Sequence, residues 1–582
     1  MKKQKAQQIE RTLSRQRFIL GLVSAGFLVL AAKLVTIQLL GHDRLVAEAK
    51  ARHVRTVKTA AIRGPIFDRD NRLLAVSTPV DTVWAEAKFF CEAQDQWPPL
   101  TKLLSLPSAK LKQQCAQRSA KEYKNNFLYI KRQISPLLAE EAKDLGIKGV
   151  HLERDYKRFY PAGPAAGHLI GFTDIDGNGQ EGLEKAYNAS LVGHKGEQVV
   201  HRDSKGRFVE FVEQVAAVEN GAPLVLSIDS RIQTLASGYL EEAVRTHKAR
   251  GGSVVVIHAA TGEILAMVDS PQFNPNDRRT LLPKLFRNRA VTDVQEPGST
   301  VKPFTIAAAL ETGDFTPESV IDTGKGRFKV PGGKITDTHE HGVISLAQIV
   351  VKSSNVGAAK LSMEFPYEDL YNTLGKVGFG QKVNAVPAEV SGVLPKRKIL
   401  IDRLTQSYGY GLNATPLQIA RSYTVFANGG VMKPITILKQ AENANISGKR
   451  VFSKKTTAQV LAMLEDVATP EGTARRARVT RYRVGGKTGT SRRNTGNGYE
   501  KDHYVSWFVG LAPISDPQFV MAVMVDDPQA GKYYGGTVAG PVFSKTMQDI
   551  LRLYNVSPDA VPNDSVNSSM ADGKQGKARG QI

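Results

Sequence analysis

The clearest pattern along the chain is one unbroken apolar run. Phe18 to Leu40 reads FILGLVSAGFLVLAAKLVTIQLL, 23 residues interrupted by a single charge, Lys33. Coiled as a helix it spans about 35 Å, enough to cross the hydrocarbon core of a bilayer. Lys33 lies toward the end of the run, where its stem can carry the ammonium to the headgroups. The run is too long for a cleaved leader and no good A-x-A site follows it, so it predicts an uncleaved anchor. No second run of that length occurs, which predicts a single pass. Gly21, Ala25 and Gly26 offer small residues for close helix packing, although a lipid-facing helix fits equally well.

Beyond the anchor the periods shorten. His42–His53 reads as a helix. The rest of 41–220 alternates short strand-like runs with Gly and Pro punctuation, at Gly64-Pro65, Pro161–Pro164 and Asp176–Gly179. Residues 133–147 have helical spacing, with Ser135-Pro136 at the start. Near Pro223 the texture changes. LVLSID (224–229) predicts a buried strand, 231–247 an amphipathic helix, and 253–270 a hairpin turned at Thr261-Gly262. Long helical stretches are expected at 299–312 and 344–362, and two closing strands at 503–512 and 518–526. Strands at both ends with helices between them predict one sheet packed by a helical half. The tail 557–582 has almost no apolar residues and is expected to be disordered. The expected class is therefore α+β and multidomain. A basic tail (1–17) and anchor (18–40) precede a mixed α/β pedestal (41–220), a second domain (221–556) and the tail (557–582).

Composition narrows the class. The 582 residues exceed one compact domain. With 41% hydrophobic and 23% charged residues, a wholly disordered chain, a collagen and a polytopic membrane protein are excluded. The net charge of +22 draws the chain to anionic surfaces. Arg11, Arg15 and Arg17 precede the apolar run closely, while Arg44 alone follows within a few residues, which predicts the N-terminus inside and the bulk exported. Export argues against nucleic acid as a partner and for anionic lipid or an acidic envelope polymer. Cys91 and Cys115 are too few for a disulfide scaffold or a four-cysteine zinc site, and they either pair or stay free.

Three short motifs carry candidate chemistry. Ser299-Thr300-Val301-Lys302 opens a helical stretch, so a hydroxyl and an amine at i and i+3 share a face beside the positive end of the helix. Ser353-Ser354-Asn355 supplies a hydroxyl and an amide for a proton relay and for holding a substrate amide. Lys487-Thr488-Gly489 supplies a cation on a Gly-flanked strand that a substrate backbone can approach. Each alone is weak; Ser565-Val566-Asn567 also fits S-x-N. In this order, in an exported chain, they form the S-x-x-K, S-x-N, K-T-G set of penicillin-interactive serine enzymes.

The chain resembles the class B penicillin-binding proteins over nearly its whole length, and most closely the division-specific peptidoglycan D,D-transpeptidase type. RGPIFDRDNRLLA (63–75) and RFYPAGPAAGHLIGFTDIDGNGQEGLE (158–184) are similar to signatures of the family's membrane-proximal region. NRAVTDVQEPGSTVKPF (288–304), VKSSNVG (351–357), YGYGLNATPLQIA (408–420) and GKTGTS (486–491) resemble its catalytic domain. Ser354 stands where many relatives in the wider superfamily carry Asp.

The resemblance implies a transpeptidase domain built on a central antiparallel sheet with a helical subdomain. It implies Ser299 as the acyl-accepting nucleophile and Lys302 as its base, with Ser353 and Asn355 completing the proton network. Lys487 and Thr488, with Gly489 and Thr490 on the same strand, would bind the donor's terminal carboxylate, and the backbone N–H groups of Ser299 and Thr490 would form the oxyanion hole. The implied substrates are peptidoglycan stem peptides, with β-lactams as mimics. The implied partners are a polytopic glycan polymerase and other division proteins, at the inner membrane with the catalytic part in the periplasm. No cofactor or metal is implied, and His339-Glu340-His341 is too small a cluster for zinc. The alternatives are an elongation-type transpeptidase and a D,D-carboxypeptidase or β-lactamase-like hydrolase. A β-lactam sensor lacks room for an output domain before the anchor, and a bifunctional synthase lacks an E-D-x-x-F-like signature.

Overall fold

The computed structural model describes residues 2–40, 42–45, 47, 54–119, 127–202, 208–442, 444–494 and 498–560. The chain forms two compact units. One comprises Met1–Ala61 and Gly193–Asn220, the other Ile62–Val192 and Gly221–Ile582. The stretch 41–220 thus contributes to both.

In the first unit a helix runs from Lys2 to Val35 and closes in a wider turn over Thr36–Leu40. The apolar run is helical, and its described side chains from Phe18 to Gln38 are all exposed. One helix there is long and apolar enough to cross a membrane. The basic tail joins the same helix, in keeping with its Ala, Gln, Lys and Arg content. Of the expected His42–His53 helix, His42–Arg44, Leu45 and Ala47 are helical and the remainder lies outside the described residues. The unit also holds a three-stranded antiparallel sheet in which Gly196–Arg202 lies between Val54–Thr59 and Phe208–Ala216.

Early in the second unit a long strand, Leu73–Glu86, pairs with Phe127–Ile134 and Val150–Phe159. A separate core of Phe90, Trp97, Leu100 and Leu128 packs beside it. Cys91 and Cys115 are disulfide-bonded, joining the helices Ala87–Glu92 and Ser108–Ser119. The two membrane-proximal signatures meet in space. Glu184 is fully buried and accepts from Arg63 Nε and Arg158 Nε, each at 2.7 Å. Such a carboxylate is tolerated inside because both oxygens are charge-paired. The helix expected over 133–147 runs from Pro136 to Asp144. Ser135 is its N-cap, accepting from Leu138 N, and 133–134 end the preceding strand.

The centre of this unit is a five-stranded antiparallel sheet. Its order is Glu263–Ser270, Gly251–His258, Phe519–Asp526, Tyr499–Ala512, Gly485–Asn494. Strands from the beginning and the end of this domain meet here, with the helices between them, as the sequence predicts. Phe519–Asp526 is buried at every position because helices cover both faces. Ser230–Thr246 and Gly540–Leu553 pack together on one, and Pro416–Ala427 on the other.

Three expectations are corrected. The strand predicted over 224–229 is only Leu224–Val225, since Asp229 already caps the next helix, accepting from Arg231 N. The helix predicted over 344–362 is two, Leu346–Lys352 and Asn355–Leu361, broken where Ser353 takes φ +60° and Ser354 caps the second. The tail expected to be disordered is docked at its start. Asp559 accepts from Arg483 N and from Ser515 Oγ, while 561–582 lies outside the described residues.

Candidate active site

The first motif sits on a tight turn. Gly298 takes φ +54°, a conformation open to glycine, and leads into a 3-10 turn over Gly298–Val301 and the helix Lys302–Thr312. Two bonds fix the turn: Gly298 N donates to Gly409 O, and Tyr423 Oη donates to Thr300 O at 2.7 Å. The helix is buried from Lys302 to Leu310, as its nearly continuous apolar sequence dictates. Ser299 stays half-buried and reachable, while Lys302 has no exposed surface.

A lysine there must find acceptors or lose its charge. Lys302 Nζ lies 2.9 Å from Ser299 Oγ, 2.8 Å from Asn355 Oδ1, 2.6 Å from Ser353 O and 3.2 Å from Ser353 Oγ. Burial drives its pKa well below the ordinary lysine value; the neighbouring Lys487 cation pushes the same way and Asp337 opposes. The amine therefore gives up its proton more easily than an ordinary lysine, within hydrogen-bond distance of the Ser299 hydroxyl.

The break between the two helices brings in the second motif. Left-handed Ser353 turns its carbonyl and hydroxyl to Lys302, and Asn355 follows as the first residue of the next helix. Lys487 Nζ approaches the same hydroxyl, 2.9 Å from Ser353 Oγ. Burial pushes Lys487 down to about 7. Ser299, Lys302, Ser353, Asn355 and Lys487 thus form one continuous hydrogen-bonded chain, though they come from three distant segments.

The third motif lies on Gly485–Asn494, the edge strand of the sheet, whose open side has backbone groups without a sheet partner. Thr488 Oγ1 stays beside the ammonium, 3.5 Å from Lys487 Nζ, and 3.1 Å from Thr473 Oγ1. Thr490 is half-buried, and its Oγ1 accepts from Gly535 N at 3.1 Å. The Ser299 turn packs against this strand. A Cβ on Gly298 would lie 3.5 Å from Thr490 O, so the turn leading into Ser299 lies against the Thr490 backbone. Gly489 has a different use from the one expected. A Cβ there would meet Pro297 O at 2.7 Å and Thr300 Cγ2 at 2.9 Å, so the missing side chain admits the protein's own serine turn rather than a substrate backbone.

Two residues of the site escaped the sequence reading. Asp337 accepts from Ser354 Oγ at 2.6 Å, Asn355 N at 2.5 Å and Val356 N at 3.0 Å, clamping the helix start that aims Asn355. It lies in the TDTHEH loop, where the only visible signal is the histidines; His339 and His341 lie edge to face, their ring centres 6.4 Å apart. Glu296, buried just before the turn, accepts from Gly411 N and from Tyr499 Oη, and its backbone carbonyl accepts from Ser491 Oγ. It was within a quoted motif, but nothing local marks its partners.

Residues 252–548 match the family model of the penicillin-binding protein transpeptidase domain, and 58–226 match that of the penicillin-binding protein dimerisation domain. The chain belongs to the penicillin-binding protein transpeptidase family. It is 37% identical to the peptidoglycan D,D-transpeptidase FtsI of Escherichia coli, over 99% of this chain and 98% of that protein. The FtsI of Buchnera aphidicola is also 37% identical, over 92% and 94% of the two chains. The solved transpeptidase domain of Burkholderia pseudomallei penicillin-binding protein 3 is 40% identical, with a TM-score of 0.54 over 58% of this chain and 98% of that one. The five-stranded sheet and the Ser299 cluster lie within the transpeptidase match, apart from Gly251, the first residue of its strand.

Proposed function

We propose that this protein is a septal peptidoglycan D,D-transpeptidase acting through a Ser299 acyl-enzyme. The observation that carries this reading is the 2.9 Å contact between Ser299 Oγ and the Nζ of a fully buried lysine whose pKa is driven down. Neutral Lys302 takes the Ser299 proton as Oγ attacks the carbonyl of the penultimate D-Ala of a donor stem. The backbone N–H groups of Ser299 and Thr490 hold the developing oxyanion. Lys302 and Ser353 Oγ, which are in contact, pass the proton to the leaving nitrogen, and terminal D-Ala departs. Lys487, with Thr488 beside it, neutralises the donor's terminal carboxylate. A neighbouring stem's amine then attacks the ester, Lys302 takes that proton, and the cross-link forms with Ser299 restored.

A β-lactam enters by the same route, but its leaving group stays tethered and the ester is hydrolysed slowly. The apolar helix supports an anchor in the inner membrane, and the arginines before it favour a catalytic unit in the periplasm. A polytopic glycan polymerase and other division proteins are its expected partners. The test is a fluorescent penicillin reacted with the full chain and followed over hours, beside Ser299→Ala. A long-lived adduct absent from the variant supports the reading, and rapid turnover of free penicillin moves it to a hydrolase.

A further inference from the structure

Away from the Ser299 cluster, and sharing no residue with it, the transpeptidase unit has a second cavity of about 700 Å³. Its walls come from the helices Tyr367–Lys376 and Pro416–Ala427 and the paired segments Val431–Met432 and Lys449–Arg450. Lys376, Arg421, Lys433 and Lys449 line it, and among the described residues no Asp or Glu does. Phe379 and Leu394 add apolar surface, and Asn372 and Gln381 add amides.

Arg421 sets this cavity apart from a merely basic surface. Its Nε and Nη1 are closed off from solvent and have no acceptor among the described residues. Glu389 is the carboxylate whose charge reaches it, but both Glu389 oxygens already accept backbone N–H groups, from Asn384, Ala385 and Val386. The fold makes room for this guanidinium. Gly378 takes φ +102°, and a Cβ there would lie 3.0 Å from Arg421 Nη1. Guanidinium N–H groups buried without an acceptor cost stability. An anion in the cavity would relieve that cost.

We propose that this cavity binds a phosphate-bearing ligand. One carboxylate would leave most of the positive charge unmatched. A phosphate ester or diphosphate brings more charge and more acceptor oxygens, which suits a guanidinium and several ammonium groups together. The apolar and amide walls then hold the body that carries the phosphate. That ligand is either a soluble phosphorylated compound or the headgroup of a phospholipid.

Titration calorimetry on the full chain in a neutral detergent at low salt tests this. Sodium diphosphate is one probe and dihexanoyl phosphatidylglycerol the other. At least one probe should bind, Arg421→Gln should weaken it at least tenfold, and Lys449→Gln severalfold. Binding of diphosphate alone assigns a soluble ligand; lipid binding that diphosphate displaces assigns a headgroup. Arg421→Gln removes an unpaired cation, so its fold should persist, and unchanged penicillin labelling verifies that. Failure of both probes to bind the wild type, or equal binding by the two variants, overturns the proposal.

Discussion

Lys302 and Lys487 reach one hydroxyl: their Nζ atoms lie 3.2 and 2.9 Å from Ser353 Oγ, and both side chains are fully buried. Two ammonium groups so close in a desolvated site disfavour each other's charge. Lys302 gives up its proton more readily because Lys487 is there. Acylation by a β-lactam should therefore rise with pH as Lys302 becomes neutral. Removing the Lys487 cation raises the Lys302 pKa, so in Lys487→Gln the rising limb should move to higher pH. The measurement is the second-order acylation rate across pH. A limb that stays in place would show that Lys302 does not report on Lys487.

Asp337 acts at one remove. It touches Ser354 and the backbone of Asn355 and Val356, and through them it positions the amide oxygen that faces Lys302. Hydrogen bonds to a charged group are worth about 1.5–3 kcal/mol each. Asp337→Ala should slow acylation about 10–100-fold and also lower the unfolding midpoint, since three donors at the helix start lose their acceptor. Asp337→Asn, which keeps one acceptor oxygen, should recover part of the rate.

Gly489→Ala tests how closely the serine turn must sit on the edge strand. The added methyl would stand 2.7 Å from Pro297 O, a backbone atom that must move. Overpacking of this kind costs about 1–3 kcal/mol, and the movement falls on the turn that carries Ser299. Acylation should drop by about two orders of magnitude, because misplacing a nucleophile by about 1 Å has that cost. An unchanged rate would mean that the turn tolerates displacement.

How much of this was legible in the sequence differs by residue. Ser299 and Lys302 meet because i and i+3 share a helical face, which is a local rule. Lys487 could be placed on a strand from its flanking glycines. The break at Ser353 could not be seen, because its cause is distant: the Asp337 carboxylate offers the chain a second helix start in place of a continued helix. Gly489 read as a substrate groove because a missing side chain does not say which backbone comes near. The division of 41–220 between two units was equally hidden, since Val54–Thr59 pairs with Gly196–Arg202 across a long stretch of chain.

Asp269 gives the fold a pH dependence separate from catalysis. It is buried, accepts from Ser253 Oγ and Ala290 N, and its Oδ2 has no partner among the described residues. Burial raises its pKa from 3.8 to about 7. An acid with a raised folded pKa contributes stability that is complete below the unfolded value and is lost as pH rises through the folded one. Wild-type protein should therefore lose thermal stability between about pH 4 and 7 relative to Asp269→Asn, whose amide oxygen can keep both bonds. Parallel melting curves of the two proteins across that range would exclude Asp269 as the source.

The most direct test of the central claim is to locate the acyl group itself. The full chain is treated with benzylpenicillin, digested, and the peptides are mapped by mass. Acylation through the Ser299–Lys302 pair predicts the added mass on the peptide holding Ser299, formed at a rate that falls by several orders of magnitude in Lys302→Ala. Mass on Ser353 or another residue, or an undiminished rate in that variant, would contradict it.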